Sequence, residues 1–146
     1  ADLVRTTVEQ MQLLTVDKDI RLNIRADDVV AVQGDAARLK QLLVALLDNA
    51  VKYTPAGGSI LLTVHAVEHR AHLRVRDSGI GISAEDLPHV FERFFRADKA
   101  RSRGIDGAGL GLPIVRSICE AHGGTVEVTS VEGQGTTCDI HLPLAA

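Results

Sequence analysis

Asn49, Lys52 and Tyr53 lie three and four residues apart in a stretch whose leucines at 39, 42, 43 and 46 mark the apolar stripe of a helix. Asn49 follows Leu42 by seven positions and Leu46 by three, so its amide points to the buried side. An unpaired amide there costs about 1–3 kcal/mol. Nearby backbone is one partner that would satisfy it. Lys52 and Tyr53 on the same face open a second reading, in which an amide, an ammonium and an aromatic ring converge at a helix end. That set could serve a metal, a phosphate chain and a base.

Asp77 shares a strand face with Leu73 and Val75, and a carboxylate at the inward end of a hydrophobic strand is costly unless it is bonded. Ser78-Gly79-Ile80-Gly81-Ile82 follows at once, and its glycines let backbone approach a ligand closely. An acceptor-only carboxylate suits an exocyclic amino donor, such as that of adenine, although an Asp closing a tight turn has the same signature. Gly107-Ala108-Gly109-Leu110-Gly111-Leu112 leads directly into a helical stretch, a form that offers free N–H groups to phosphate. It is not the dinucleotide fingerprint, because Leu112 stands where a glycine would be needed, and no glycine precedes the Lys-Ser/Thr pair of a P-loop. Thr136 lies on one strand face with Cys138, Ile140 and Leu142, so its hydroxyl also faces inward.

The elements that must hold these groups follow from periodicity. Helices are expected over 2–15, 35–53 and 110–122, with a short helical segment over 83–95. Strands are expected over 19–25, 29–33, 59–67, 71–77, 125–131 and 136–142, the last four as two hairpins. Residues 96–109 are polar, basic and glycine-rich and read as a mobile loop. The fold class is α/β (α+β): a two-layer sandwich of about three helices on one face of a mixed, largely antiparallel five-stranded sheet. With 146 residues, 45% hydrophobic, the chain has the size of one domain with a real core. It holds only four aromatics, so that core must be aliphatic. A formal charge of −3 leaves no basic surplus for nucleic acid. The longest apolar run, Leu42 to Leu47, is far short of a membrane span, and no signal peptide opens the chain. Cys119 and Cys138 read as buried reduced thiols.

Taken in order, these segments resemble the ATP-binding catalytic domain of sensor histidine kinases, in the wider group of gyrase, Hsp90 and MutL ATPases with the Bergerat-type fold. Leu46 to Pro55 resembles the asparagine box and Asp77 to Ile82 the first glycine box. Phe91 to Arg96 resembles the phenylalanine box, Gly107 to Leu112 the second glycine box, and Gly133 to Thr136 the last short one. The resemblance implies that Asn49 binds Mg2+, Lys52 touches the phosphates and Tyr53 stacks near adenine. It implies that Asp77, helped by Thr136, accepts from the adenine amino group. Gly79, Gly81 and Ile82 would line that pocket, and Gly107, Gly109, Leu110, Gly111 and Leu112 would wrap the triphosphate. Residues 96–109 would be a lid, with Arg103 a phosphate contact.

By that resemblance, residues 1–146 are one catalytic domain of a longer kinase and lack its sensor and phosphoacceptor parts. The expected activity is binding of Mg-ATP and donation of the γ-phosphate to a histidine on a separate dimerisation domain, in a two-component system. The isolated chain is expected to be a nearly inactive monomer. Its expected partners are the dimerisation domain and a downstream response regulator, and its expected setting is the cytoplasmic side of a membrane-anchored sensor kinase. Two positions depart from the family pattern: Ala45 where a second asparagine is usual, and Asp106 where glycine is commoner. A hydrolysing ATPase of gyrase or MutL type, a serine kinase of anti-sigma type and a non-catalytic nucleotide-binding module are the alternatives. No histidine stands in a phosphoacceptor context. His65, His69 and His72 are expected as solvated turn residues, and His89, His122 and His141 as isolated ones.

Overall fold

The computed structural model describes residues 6–12, 18–26, 32, 34–91 and 111–144. One sheet contains β1 (Arg21–Ala26), β2 (Ser59–Val67), β3 (Arg70–Asp77), β4 (Thr125–Val131) and β5 (Gly135–Pro143), in the spatial order β1-β2-β3-β5-β4. The β1–β2 pair is parallel and the other three are antiparallel. The helices are α1 (residues 6–12), α2 (Ala36–Tyr53) and α3 (Gly111–Ala121). The mixed five-stranded sheet with a helical layer is the architecture expected from periodicity. Of the strand expected over 29–33, the described residue Val32 makes an isolated antiparallel bridge with Leu144.

The short helical pattern expected within 83–95 takes the 3-10 form. Over 83–91 the chain forms turns around a single 3-10 turn, Leu87–His89. The Ser83 carbonyl accepts from Asp86 N (3.1 Å) and Leu87 N (3.0 Å), and its hydroxyl accepts from Asp86 N (3.2 Å). Local bonds of this kind compete with an α-helical ladder. Residues 92–95 lie outside the described residues.

The core joins α1, α2 and α3 to the inner sheet face. Leu42, Leu43, Leu46 and Leu47 of α2 meet Ile60 and Leu62 of β2, Leu73 and Val75 of β3, and Ile140 of β5. Each such side chain stabilises the fold by about 1.5–3 kcal/mol when fully buried. No aromatic residue belongs to this core among the described residues. Val115, Ile118 and Cys119 bring α3 onto the same cluster.

α2 begins where Asp35 accepts from Ala37 N (2.9 Å) and Arg38 N (3.4 Å). It stops at Thr54, ahead of Pro55, which lacks a backbone donor. His122, expected to be isolated, is a latch between helices. Its Nδ1 donates to the Ile118 carbonyl (2.8 Å), which leaves Nε2 to accept from Asp35 N (3.3 Å). The C-terminal end of α3 therefore lies against the N-cap of α2. Leu112, Ile114, Val115, Ile118 and Cys119 of α3 join the same apolar cluster as the leucines of α2.

A Cβ on Gly34 would overlap the His122 ring. Gly34→Ala is expected to cost about 1–2 kcal/mol by displacing the ring from Asp35 N. His122→Ala should cost less in that background than alone, because both changes break the same bond. Urea titration of the wild type, both single variants and the double variant checks this.

Candidate functional site

α2 carries its polar residues at a firmly held end. The Lys18 ammonium donates to the carbonyls of Val51 (2.7 Å) and Lys52 (3.1 Å), which satisfies two of the helix's last acceptors. Thr54, fully buried, donates through Oγ1 to the Ala50 carbonyl (2.7 Å). Asn49 is half-buried on this turn, and its amide has no partner among the described residues. Lys52 is exposed and pairs with Asp48 at 2.9 Å. Ala45, one turn earlier, packs against the core.

Asp77 ends β3 and is buried. One oxygen, Oδ1, accepts from Gly79 N (2.9 Å) and Thr136 N (3.2 Å). The antiparallel register of β3 with β5 places Asp77 directly opposite Thr136. The second carboxylate oxygen has no partner among the described residues. Burial pushes the Asp77 carboxyl up, and the bonds from Gly79 and Thr136 N–H only partly oppose that.

The turn after Asp77 is fixed by backbone on several sides. Ile80 N donates to the Tyr53 carbonyl (3.0 Å), Ser78 N to the Ser59 carbonyl (3.0 Å), and Gly133 N to the Ile80 carbonyl (2.7 Å). A side chain at Gly79 would collide with the Tyr53 carbonyl. Gly81 has φ +71°, a conformation L side chains rarely adopt, and faces the Val131 carbonyl. Ile82 N donates to Ser130 Oγ (2.7 Å), and that hydroxyl donates to the Gly135 carbonyl (2.8 Å). With its single proton committed there, Ser130 receives the 2.9 Å bond from Thr136 Oγ1. Thr136 is left with acceptor capacity beside Asp77.

The structure thus brings Tyr53, Asp77, Gly79, Gly81, Ile82 and Thr136 to one end of the sheet. Asn49 and Lys52 stand on the adjoining turns of α2. Gly111 opens α3, and Leu112 packs against the core. Arg103, Gly107, Gly109, Leu110, Asp106 and the expected lid over 96–109 lie outside the described residues. Lys18 and Ser130, which support the site, were not among the expected residues. A lysine placed before β1 and a serine placed mid-strand carry no local signal of such contacts.

The histidine expectation needs correction. His72, His65 and His141 form a row across β3, β2 and β5. His72 stacks on His141 (centroids 4.5 Å apart, planes 5° apart) and meets His65 edge-on at 5.0 Å. His72 Nε2 also lies 2.7 Å from Asp139 Oδ1, which accepts from Arg74 Nε at 2.6 Å. Only the register, His65 opposite His72 and His72 opposite His141, makes these neighbours. No group of three or more His, Cys, Asp or Glu side chains among the described residues is placed to hold a metal. Cys119 and Cys138 are free and buried, and burial pushes their thiols up to about 11 and about 12. No described helix is long and apolar enough to cross a membrane.

A two-layer sandwich with a half-satisfied buried carboxylate beside a glycine turn, facing an asparagine-bearing helix, defines a Bergerat-type ATP-binding fold. The chain belongs to the family of histidine kinase-, DNA gyrase B- and HSP90-like ATPases, whose pattern matches residues 34–146, and within it to the catalytic domains of sensor histidine kinases. It is 44% identical over 137 residues to the sensor histidine kinase YkoH of Bacillus subtilis (strain 168), covering 92% of this chain and 30% of YkoH. The structure of the mycobacterial sensor histidine kinase MprB superposes with a TM-score of 0.84 at 31% identity, covering 98% of this chain and 94% of that one. Full-length ShkA, solved in complex with AMPPNP, superposes with a TM-score of 0.84 at 33% identity, over 99% of this chain and 30% of its own. The chain spans about a third or less of the curated relatives it matches.

The folded Asp77 carboxyl titrates above its ordinary value near 3.8. Its contribution to stability is therefore fully present below that value and is lost as pH rises through the folded pKa, because the buried group must ionise. Asp77→Asn retains an oxygen for both amide donors. Its stability should match the wild type in acid and exceed it increasingly toward neutral pH, which parallel Tm measurements against pH would show.

Proposed function

We propose that this chain binds Mg-ATP and donates the γ-phosphate to a histidine on a separate dimerisation domain of a two-component sensor kinase. The observation that carries the reading is the Asp77 oxygen with no partner among the described residues, in a turn framed by the backbone of Tyr53, Ser59 and Gly133. It suits the amino group of adenine, with Thr136 as a second acceptor. Gly79, Gly81 and Ile82 would form the wall of that pocket, and Tyr53 would stack beside the base. The AMPPNP complex of ShkA supports a nucleotide of this kind in the family.

The same end of the fold suits the phosphates. The N-terminal N–H groups of α3, from Gly111 onward, would face the phosphates and favour anions there. Gly107, Gly109, Leu110 and Leu112 would complete this phosphate-facing segment, with Arg103 from the lid. Asn49 is the residue fitted to hold Mg2+: it offers a hard carbonyl oxygen with no other partner among the described residues. Bound there, Mg2+ would neutralise charge on the triphosphate. Lys52 would exchange Asp48 for a phosphate oxygen, at little cost because exposed i,i+4 pairs are worth about 0.3–0.5 kcal/mol.

In the transfer, an imidazole nitrogen of the partner domain attacks the γ-phosphorus. A P–N bond forms, the bond to the β,γ-bridging oxygen breaks, and ADP leaves. This chain supplies positioning and charge neutralisation, while the nucleophile and its base come from the partner. Ala45 favours transfer over hydrolysis, since it offers no acid–base group one turn from Asn49. The whole protein would be a membrane-anchored sensor kinase with this domain on the cytoplasmic side, signalling to a response regulator. Residues 1–146 would be its single catalytic domain, monomeric in isolation.

With γ-labelled ATP and a dimeric acceptor domain, acid-labile label should appear on histidine, and Asn49→Asp should abolish it. Asp77→Asn should weaken Mg-ADP binding by about 10- to 150-fold, the equivalent of one hydrogen bond to a charged group. Steady phosphate release without an acceptor would instead support the hydrolysing reading, and acid-stable phosphoserine a serine kinase.

A further inference from the structure

Among the described residues no helix lies on the outer face of the sheet, and its charge is unevenly distributed. On β1, β2 and β3 the outward positions include Arg21, Arg25, Arg70, Arg74 and Arg76, with no outward carboxylate on these three strands. The outward carboxylates stand on β5 and β4, at Asp139 and Glu127. Asp139 is already bound to Arg74 and His72. Arg25 and Arg76 have no partner among the described residues.

These cations line a groove. One part, about 570 Å³, lies between Arg25, Thr63, His65, Arg74 and Arg76, with Leu61 on its floor. A second part, about 580 Å³, shares Arg25, Leu61 and Arg76 and continues past the edge of Asp77 to Ser78 and Gln134. We propose that this groove on the outer face of β1–β3 is a docking site for an extended acidic segment of a partner protein.

Three features select that occupant. Arg25 and Arg74 flank Thr63 in one row of the register. They are thus separated by two strand spacings, about 9.5 Å, which leaves room between them for one extended chain lying along β2. Arg74 and Arg76 are alternate residues of β3, about 6.8 Å apart along the strand, matching carboxylates two residues apart in an extended peptide. Guanidinium groups take carboxylates in bidentate pairs, Arg25 and Arg76 with all their donors and Arg74 with the two Nη groups that Asp139 does not take, and Leu61 provides apolar floor for the intervening side chains. The exposed carboxylate of Glu127 borders the cationic half and opposes a wide polyanion such as nucleic acid or an anionic bilayer. The proposal holds whether or not the opposite face binds nucleotide.

The test is fluorescence anisotropy of the chain with a labelled peptide alternating Glu and Ser, with its Gln-for-Glu counterpart, with oligothymidylate and with phosphatidylserine vesicles. The Glu peptide should bind, and more weakly as salt rises. Arg25→Gln combined with Arg76→Gln should weaken it by at least about tenfold, the scale of a lost charge-assisted pair. Arg38→Gln with Lys40→Gln, an equal charge change on α2, should not. Backbone amide shifts on binding should fall on β1, β2 and β3. The proposal is overturned if the Glu peptide does not bind, if the Gln peptide binds equally well, or if the α2 control pair weakens binding as much. Shifts confined elsewhere, or tighter binding of oligothymidylate or vesicles lost in the same Arg variants, overturn it as well.

Discussion

Asp77 places a carboxylate inside an aliphatic core, and that position can be held only if donors reach it from more than one side. Gly79 N and Thr136 N are those donors, and both converge on one oxygen. The first requires a tight turn immediately after β3. The second requires β5 to lie beside β3 in one register, although β4 comes between them in sequence. The glycines follow from the same demand. Gly135, at φ +130°, lies against the Asp77 carbonyl, and Gly79 lies under that of Tyr53. Strand order, register and glycine placement at this end of the molecule all serve one ionisable group. Its second oxygen has no partner among the described residues, a local departure from polar satisfaction of the kind found at functional sites.

α2 is the other half of the arrangement, and it is anchored at both ends by residues distant in sequence. Asp35 and His122 hold the N-terminal end against α3, while Lys18 and Thr54 close the C-terminal end. Between them, Leu42, Leu43, Leu46 and Leu47 fasten the helix to the sheet. A side chain at position 49 therefore stands on a rigid support, as binding groups must if their geometry is to be kept within fractions of an ångström. Lys52, by contrast, is exposed and paired with a neighbour on its own helix, so it can be redirected without disturbing the core.

Asn49, Asp77 and Thr136 were legible in the sequence because burial periodicity exposes a polar group at an apolar position, which needs only local information. The glycine turn over 79–81 was legible from local residue type as well. The histidine row was not. His65 and His72 become neighbours through the hairpin, but His141 and Asp139 join them only because β5 inserts between β3 and β4. Nearness to a turn suggested solvated residues, and pairing across strands overrode it. Ser130 escaped notice likewise, since its hydroxyl matters only once Ile82, Gly135 and Thr136 surround it. Within 83–95 a short helical element is legible in the sequence, but its 3-10 form is not, because Ser83 bonds locally in a way that apolar spacing does not reveal.

The two faces of the sheet are linked through β3 itself. Its residues alternate Arg70, His72, Arg74 and Arg76 outward with Ala71, Leu73, Val75 and Asp77 inward. A slip of one residue in register would turn three arginines and a histidine into the core and expose the apolar set, so this strand has one acceptable alignment. That alignment is also the one that sets Asp77 against Thr136. The buried carboxylate on the helical side and the arginine stripe on the open side are thus consequences of a single choice. A charge pattern that looks like mere solvation of one face helps to fix the register on which the site at the other depends.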